Sequence, residues 1–259
     1  MTDRGAGSRV APFVLVAVLL ALWEAYVRLA DVNPVLLPGP VRIVEALWTY
    51  RADALRHAVP TVIETLVGFA FAVVLAIAAA AAMDRAPVVR RAVEPILVTS
   101  QTIPVVAIAP LFLLWFGFGL APKVLVVILV TFFPIVVALL DGLRSAPPEA
   151  EDLMRSYGAT DGQAFRHLRW PTALPALFTG LRISAVYAVI GAVFGEYVGA
   201  REGLGIWMQL SQNAFRTDLV FAAIVVTAAL SLVLYAIVGA LRRLVIPWAP
   251  GVRSERSTI

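Results

Sequence analysis

APPEAEDLMRSYGATDGQAFRHLRWPTALP, residues 146–175, is a polar interruption in an otherwise strongly apolar chain. Asp141, Arg144, Glu149, Glu151, Asp152, Arg155, Asp161, Arg166, His167 and Arg169 crowd into and beside it, and the apolar run on either side is long enough to cross a bilayer. So many charges belong in water or against another protein. Pro147 and Pro148 suit a helix start, with Glu149, Glu151 and Asp152 near the positive end of its dipole. Gly158 should end that helix. Asp161 is expected to cap a second short helix over 162–168, and Trp170 and Pro171 mark the return to the membrane.

Composition sets the class. Of 259 residues, 61% are hydrophobic and 15% charged, against roughly 45 to 50% apolar in soluble domains. The chain therefore reads as all-α and polytopic. The formal charge of +4 does not point to nucleic acid, because the arginines sit in short loops between apolar runs rather than on one face. With no cysteine and only His57 and His167, disulfides, thiolate chemistry and metal sites find no support.

Six spans are predicted, at about 10–30, 60–83, 95–116, 124–140, 172–198 and 218–246, each near the ~20 residues that cross the hydrocarbon. The first lacks a small-x-small cleavage site and reads as a retained helix. Glu24 and Arg28, one turn apart, should pair. Residues 31–59 read as an amphipathic segment along the membrane surface, with Ile43, Leu47 and Trp48 on one face. The third span is the least lipid-like: Thr99, Ser100, Gln101 and Thr102 precede Pro104 and Pro110. Residues 117–123 read as a tight outside turn, and 199–217 as a partly re-entrant outside loop. Arginine placement favours cytoplasmic termini, which divides the chain into a cytoplasmic N-terminus (1–9), one transmembrane domain (10–248) and a cytoplasmic tail (249–259).

The quoted segment resembles the cytoplasmic coupling segment of ATP-binding-cassette importer permeases, in which an acidic-Ala-Ala-x-x-x-Gly motif is followed by Ile-x-Leu-Pro. Asp152, Gly158, Leu168, Trp170 and Pro171 fall at matching positions, while Leu153 and Met154 replace the two alanines. The likeness extends over residues 23–248 through LLPGP, IPVVAIAPLFLLWFGFG, Glu196 followed by GLG, and the closing PW. It is similar to the six-span permeases of the sulfonate, taurine, nitrate and thiamine-precursor group, of type I importer fold.

The resemblance implies a bacterial inner-membrane subunit working as a homodimer with a separate cytoplasmic ATPase and an extracytoplasmic substrate-binding protein. ATP would be bound by that partner and no cofactor by this chain, which has no GxxxxGK[ST] and is not expected to be an enzyme. Asp152, Leu153, Arg155, Gly158, Ala159, Leu168 and Pro171 are the expected ATPase-coupling residues, with Asp152 capping the docking helix. Gln101, Thr102 and Glu196 are the candidates for the translocation pathway, Glu196 alternatively capping backbone or pairing with Arg201. Arg182 fits either a cytoplasmic gate or inward snorkelling. The implied solute is a thiamine pyrimidine precursor or riboflavin-like compound, or a sulfonate or nitrate. An ion-coupled carrier without an ATPase is the alternative, weakened by Glu24, Glu64 and Glu196 lying toward the outer ends of their spans. An intramembrane enzyme would need a GxSxG, a histidine metal site or paired aspartates at membrane depth, and none of these is present.

Overall fold

The computed structural model describes residues 7–248, which contain helices and no strand. The tail at 249–259 and most of the predicted N-terminal segment lie outside them. In chain order the helices are α1 (Gly7–Leu29), α2 (Pro40–Thr49), α3 (Arg51–Arg85), α4 (Pro87–Ser100), α5 (Val105–Phe116), α6 (Leu120–Arg144), α7 (Pro148–Ser156), α8 (Asp161–Ala164), α9 (Trp170–Gly199), α10 (Leu204–Asn213) and α11 (Thr217–Val245). A π-turn, Phe165–Arg169, joins α8 to α9 without a break. Among the described residues five helices are long and apolar enough to cross a membrane, and the α4–α5 pair, bent by 101°, would count as a sixth if it is one broken span.

The bundle is built on α6 and α9. Their close approach rests on small residues: a Cβ at Gly180 would stand 2.7 Å from that of Ala138, and one at Gly142 would stand 2.8 Å from that of Ala176. In lipid, where there is no hydrophobic drive between helices, such backbone proximity is what makes packing favourable. Of the fully buried alanines of α3, Ala76 and Ala80 pack against the same pair. By contrast no residue in the apolar stretch of α1 is buried, and its contacts with the rest are few: Trp23 packs against Phe221 of α11, and Glu24, paired with Arg28 at 2.6 Å, accepts the Val41 amide at 3.0 Å, capping α2.

Several boundaries differ from the sequence reading, each for a packing reason. The second span begins at Arg51 rather than near Pro60, because Ala54 and Ala58 pack against Leu204, Trp207 and Leu219 and carry the helix through the proline. The segment expected along the membrane surface contains α2, whose buried residues Ile43 and Ala46 pack against protein, while Trp48 is exposed. The predicted outside turn is shorter: only residues 117–119 are non-helical, with Gly117 at φ 70° and Gly119 at φ 148°, so Lys123 lies in the first turn of α6. That helix runs on to Arg144. The loop expected to re-enter the membrane contains α10, with Trp207 and Met208 buried in the second cluster.

Candidate functional site

Two constellations stand at opposite ends of α9. At its start lies the polar segment. Pro147 occupies the N-cap of α7 in extended conformation and Pro148 its first position, a start in which neither residue has an amide to satisfy. Asp152 is therefore not a cap, as the sequence suggested, but a mid-helix residue exposed to solvent. The helix ends in a Schellman closure: the Ala159 amide donates to Met154 O at 3.0 Å and the Gly158 amide to Arg155 O at 2.9 Å. Gly158 has φ 81°, which a side chain would strain.

No residue of α7 is buried, although Leu153 and Tyr157, one turn apart, are 57% and 85% exposed. An amphipathic helix that turns its large apolar groups outward has a face to give to something else. Arg155 braces the segment internally through Glu151 at 3.0 Å and Asp161 at 3.4 Å. The cap of α8 is Thr160, not Asp161: its hydroxyl accepts the Gln163 amide and the Gln163 side chain accepts the Thr160 amide, a reciprocal capping box. Of the predicted coupling residues, Asp152, Leu153, Arg155 and Gly158 are exposed together, whereas Ala159, Leu168 and Pro171 are partly buried.

From Asp161 to Gly199 the chain is a single helical rod of 39 residues. Its base is fastened to α3 by the Arg169–Asp84 ion pair, in which Asp84 is nearly enclosed, and by Arg85 lying over the Phe165 ring. A charged cleft of about 410 Å³ opens here, lined by Asp84, Arg85, Glu151, Arg155, Asp161 and Arg169.

At the other end of the rod is Glu196, fully buried. Its Oε1 accepts the Thr61 hydroxyl at 2.5 Å and its Oε2 the Gly205 amide at 2.6 Å. The Leu204 amide donates to Thr61 Oγ1 at 3.0 Å, and the Gly203 amide to His57 Nδ1 at 3.1 Å. The free amides that open α10 are thus met by side chains of α3 and α9. Nearby, Lys123 of α6 forms a 2.5 Å ion pair with Glu64 of α3, both largely buried, and the second oxygen of Glu64 is enclosed without a partner. Glu196 does not pair with Arg201, nor does it face open space; its carboxylate closes a seam between helices. Gln101 and Thr102 sit instead at the exposed α4–α5 corner, apart from it, and the Thr102 hydroxyl donates to Thr99 O.

Sequence reasoning singled out Glu196 but not Thr61, Glu64 or Lys123. The usable signal was charge: the only lysine stands beside a span and carboxylates recur at one end of two others. On the same side a cleft of about 820 Å³ is lined by Arg56, Lys123, Arg201, Glu202 and Phe118. Arg56 binds Glu202 there and holds its carboxyl below the ordinary range.

Comparison with known proteins agrees across the chain. Residues 72–247 match the family described as binding-protein-dependent transport system inner membrane component. A formylaminopyrimidine transport permease protein of Halalkalibacterium halodurans is 40% identical over 92% of this chain and 95% of its own. A riboflavin transport system permease protein of Chloroflexus aurantiacus is 37% identical over 91% and 88%, and the taurine transport system permease protein of Escherichia coli 31% over 90% and 87%. Among solved structures, an inward-facing MetNI methionine ABC transporter chain superposes with a TM-score of 0.60 at 19% identity, covering 77% of this chain and 97% of that one. A chain of an amino acid ABC transporter gives 0.60 at 17% identity, covering 77% and 95%.

Proposed function

The chain belongs to the family of binding-protein-dependent transport inner membrane components, and on that premise we propose that it passes a small solute inward, driven by a separate ATPase that docks on α7. It is a multi-pass ABC importer permease of type I fold. The observation that carries the docking assignment is the exposed pair Leu153 and Tyr157, on and at the end of a helix with no buried residue, which Gly158 closes and a short turn joins to the rod that holds Glu196 near its far end.

The mechanism follows from rigidity. A short helix held by a Schellman closure, internal ion pairs and a capping box moves as one body with what it binds. Closure of the ATPase pair on ATP would shift α7, and the 161–199 rod, tied to α3 through Asp84 and Arg169, would carry that shift through the bilayer to the seam at Glu196. Two copies of the chain would face each other around the pathway, with both termini cytoplasmic and an external binding protein delivering solute to the opposite end. The relatives named for formylaminopyrimidine and riboflavin share more identity with this chain than the taurine relative does. That order favours a nitrogen-heteroaromatic solute over a sulfonate or nitrate.

The test is a pull-down of the tagged chain from its own membranes with mass spectrometry, alongside Gly158→Arg, followed by uptake in proteoliposomes with and without ATP. An ABC ATPase that accompanies the wild type and is lost from the variant is the expected result. A chain that comes down alone and moves solute without ATP would establish the secondary carrier instead.

A further inference from the structure

Of the long helices α9 is the most enclosed, yet one stripe of it stays open: Thr179, Ile183, Val186, Tyr187 and Ile190 are all exposed. Arg182 lies at the edge of this stripe, where α11 passes. Its guanidinium carbon is 4.1 Å from the centroid of the Tyr235 ring, and its Nε is buried with no hydrogen-bond partner. Gly239 completes the niche, since a Cβ there would come within 3.8 Å of Nε. No carboxylate among the described residues is paired with Arg182; the ion pairs of the bundle all lie elsewhere.

This position is deep. Arg182 is twelve residues from Trp170 and seventeen from Gly199, or about 18 and 26 Å along the helix at 1.5 Å per residue. A cation at that depth is costly unless something of opposite sign or a water-filled space meets it. The neighbouring stripe sets Tyr187 and Thr179, whose hydroxyl donates to Pro175 O, among aliphatic residues, two polar tips on an otherwise apolar face.

We propose that Arg182, held by Tyr235 and Gly239, is a solute-contact residue in a conduit walled by the open stripe of α9, and that it takes a hydrogen-bond-acceptor group carrying full or partial negative charge. The guanidinium offers a flat, permanently charged fork, and the ring beneath it fixes its plane. A carbonyl or ring nitrogen of a heteroaromatic solute suits that fork, as does an oxyanion. The inference rests on the permease reading and deepens it.

The chain contains no cysteine, so Thr179→Cys and Val186→Cys, at i−3 and i+4 from Arg182, each place a single reporter thiol on the stripe. In open native membrane fragments holding the full chain with its ATPase, their reaction rates are compared for sulfonatoethyl and trimethylammonioethyl methanethiosulfonates, normalised to a free thiol. Both reagents should react, with the anionic one favoured roughly tenfold by the local positive field. The preference should collapse toward one in an Arg182→Gln background and survive in Arg182→Lys. Absence of reaction at both positions would place the stripe against lipid or another chain and overturn the proposal. So would a preference that ignores Arg182. If ATP-dependent uptake persists in either case, only this assignment falls; if uptake never depends on ATP, the permease reading falls with it.

Discussion

Glu196 and Gly205, nine residues apart, are joined by a 2.6 Å hydrogen bond that folds α10 back over the end of the long rod. Both carboxylate oxygens are engaged, one by Thr61 and one by this amide. Replacing Glu196 by Ala leaves the buried Gly205 amide unpaired and the Thr61 hydroxyl with His57 O alone as its acceptor, which costs about 1–3 kcal/mol. Glu196→Gln, which keeps one acceptor, should lose less. Thermal unfolding in detergent, followed by size-exclusion fluorescence, should rank the wild type above Gln and Gln above Ala.

Gly203 packs its α-carbon against that carboxylate at φ 141°, and a Cβ there would lie 2.5 Å from Glu196 Oε1. Gly203→Ala should therefore lower stability about as much as Glu196→Ala. The two effects should be clearly less than additive in the double variant, because deleting the carboxylate removes the clash though not the backbone strain. Additive loss would mean that the backbone angle alone accounts for the glycine.

The Glu64–Lys123 pair, 3% and 12% exposed, is buried enough that breaking it should hurt more than removing it. Lys123→Met strands a carboxylate and should cost about 3–5 kcal/mol, whereas Glu64→Met with Lys123→Met should restore most of that loss. Yield of folded protein after mild heating distinguishes the two.

Asp84 and Arg169 tie α3 to the base of the rod. Asp84→Ala should leave insertion intact while lowering transport per ATP hydrolysed severalfold. Exchanging the charges, Asp84→Arg with Arg169→Asp, should recover part of the coupling. The paired readout of ATPase rate and uptake separates this from simple misfolding, which would lower both.

How far the sequence discloses these features depends on whether their parts are neighbours in the chain. The helices of the 146–175 segment could be read in order because prolines, Gly158 and charges punctuate a run of 30 residues, and their caps could not. Asp152 looked like a cap since acidic residues favour helix starts, but Pro147 already filled that position. The seam could not be read so directly. It draws His57, Thr61 and Glu64 from α3, Lys123 from α6 and Glu196 from α9, and each looks interfacial when taken alone. Likewise Pro60 signals a boundary locally, and only the burial of Ala54 and Ala58 against α10 and α11 shows why the helix continues through it.

The π-turn at Phe165–Arg169 works as a phase buffer. Its wider turn holds about one residue more than an α-helical turn would, so the extra residue is absorbed and the segments on either side keep the mutual direction of an unbroken helix one residue shorter. Deleting one residue within 165–169 would regularise the rod with little rotation, whereas deleting one from the regular helix that follows would turn the 146–160 segment by about 100° around the axis. Length is thus forgiving within this turn and a rotational variable everywhere else along the rod.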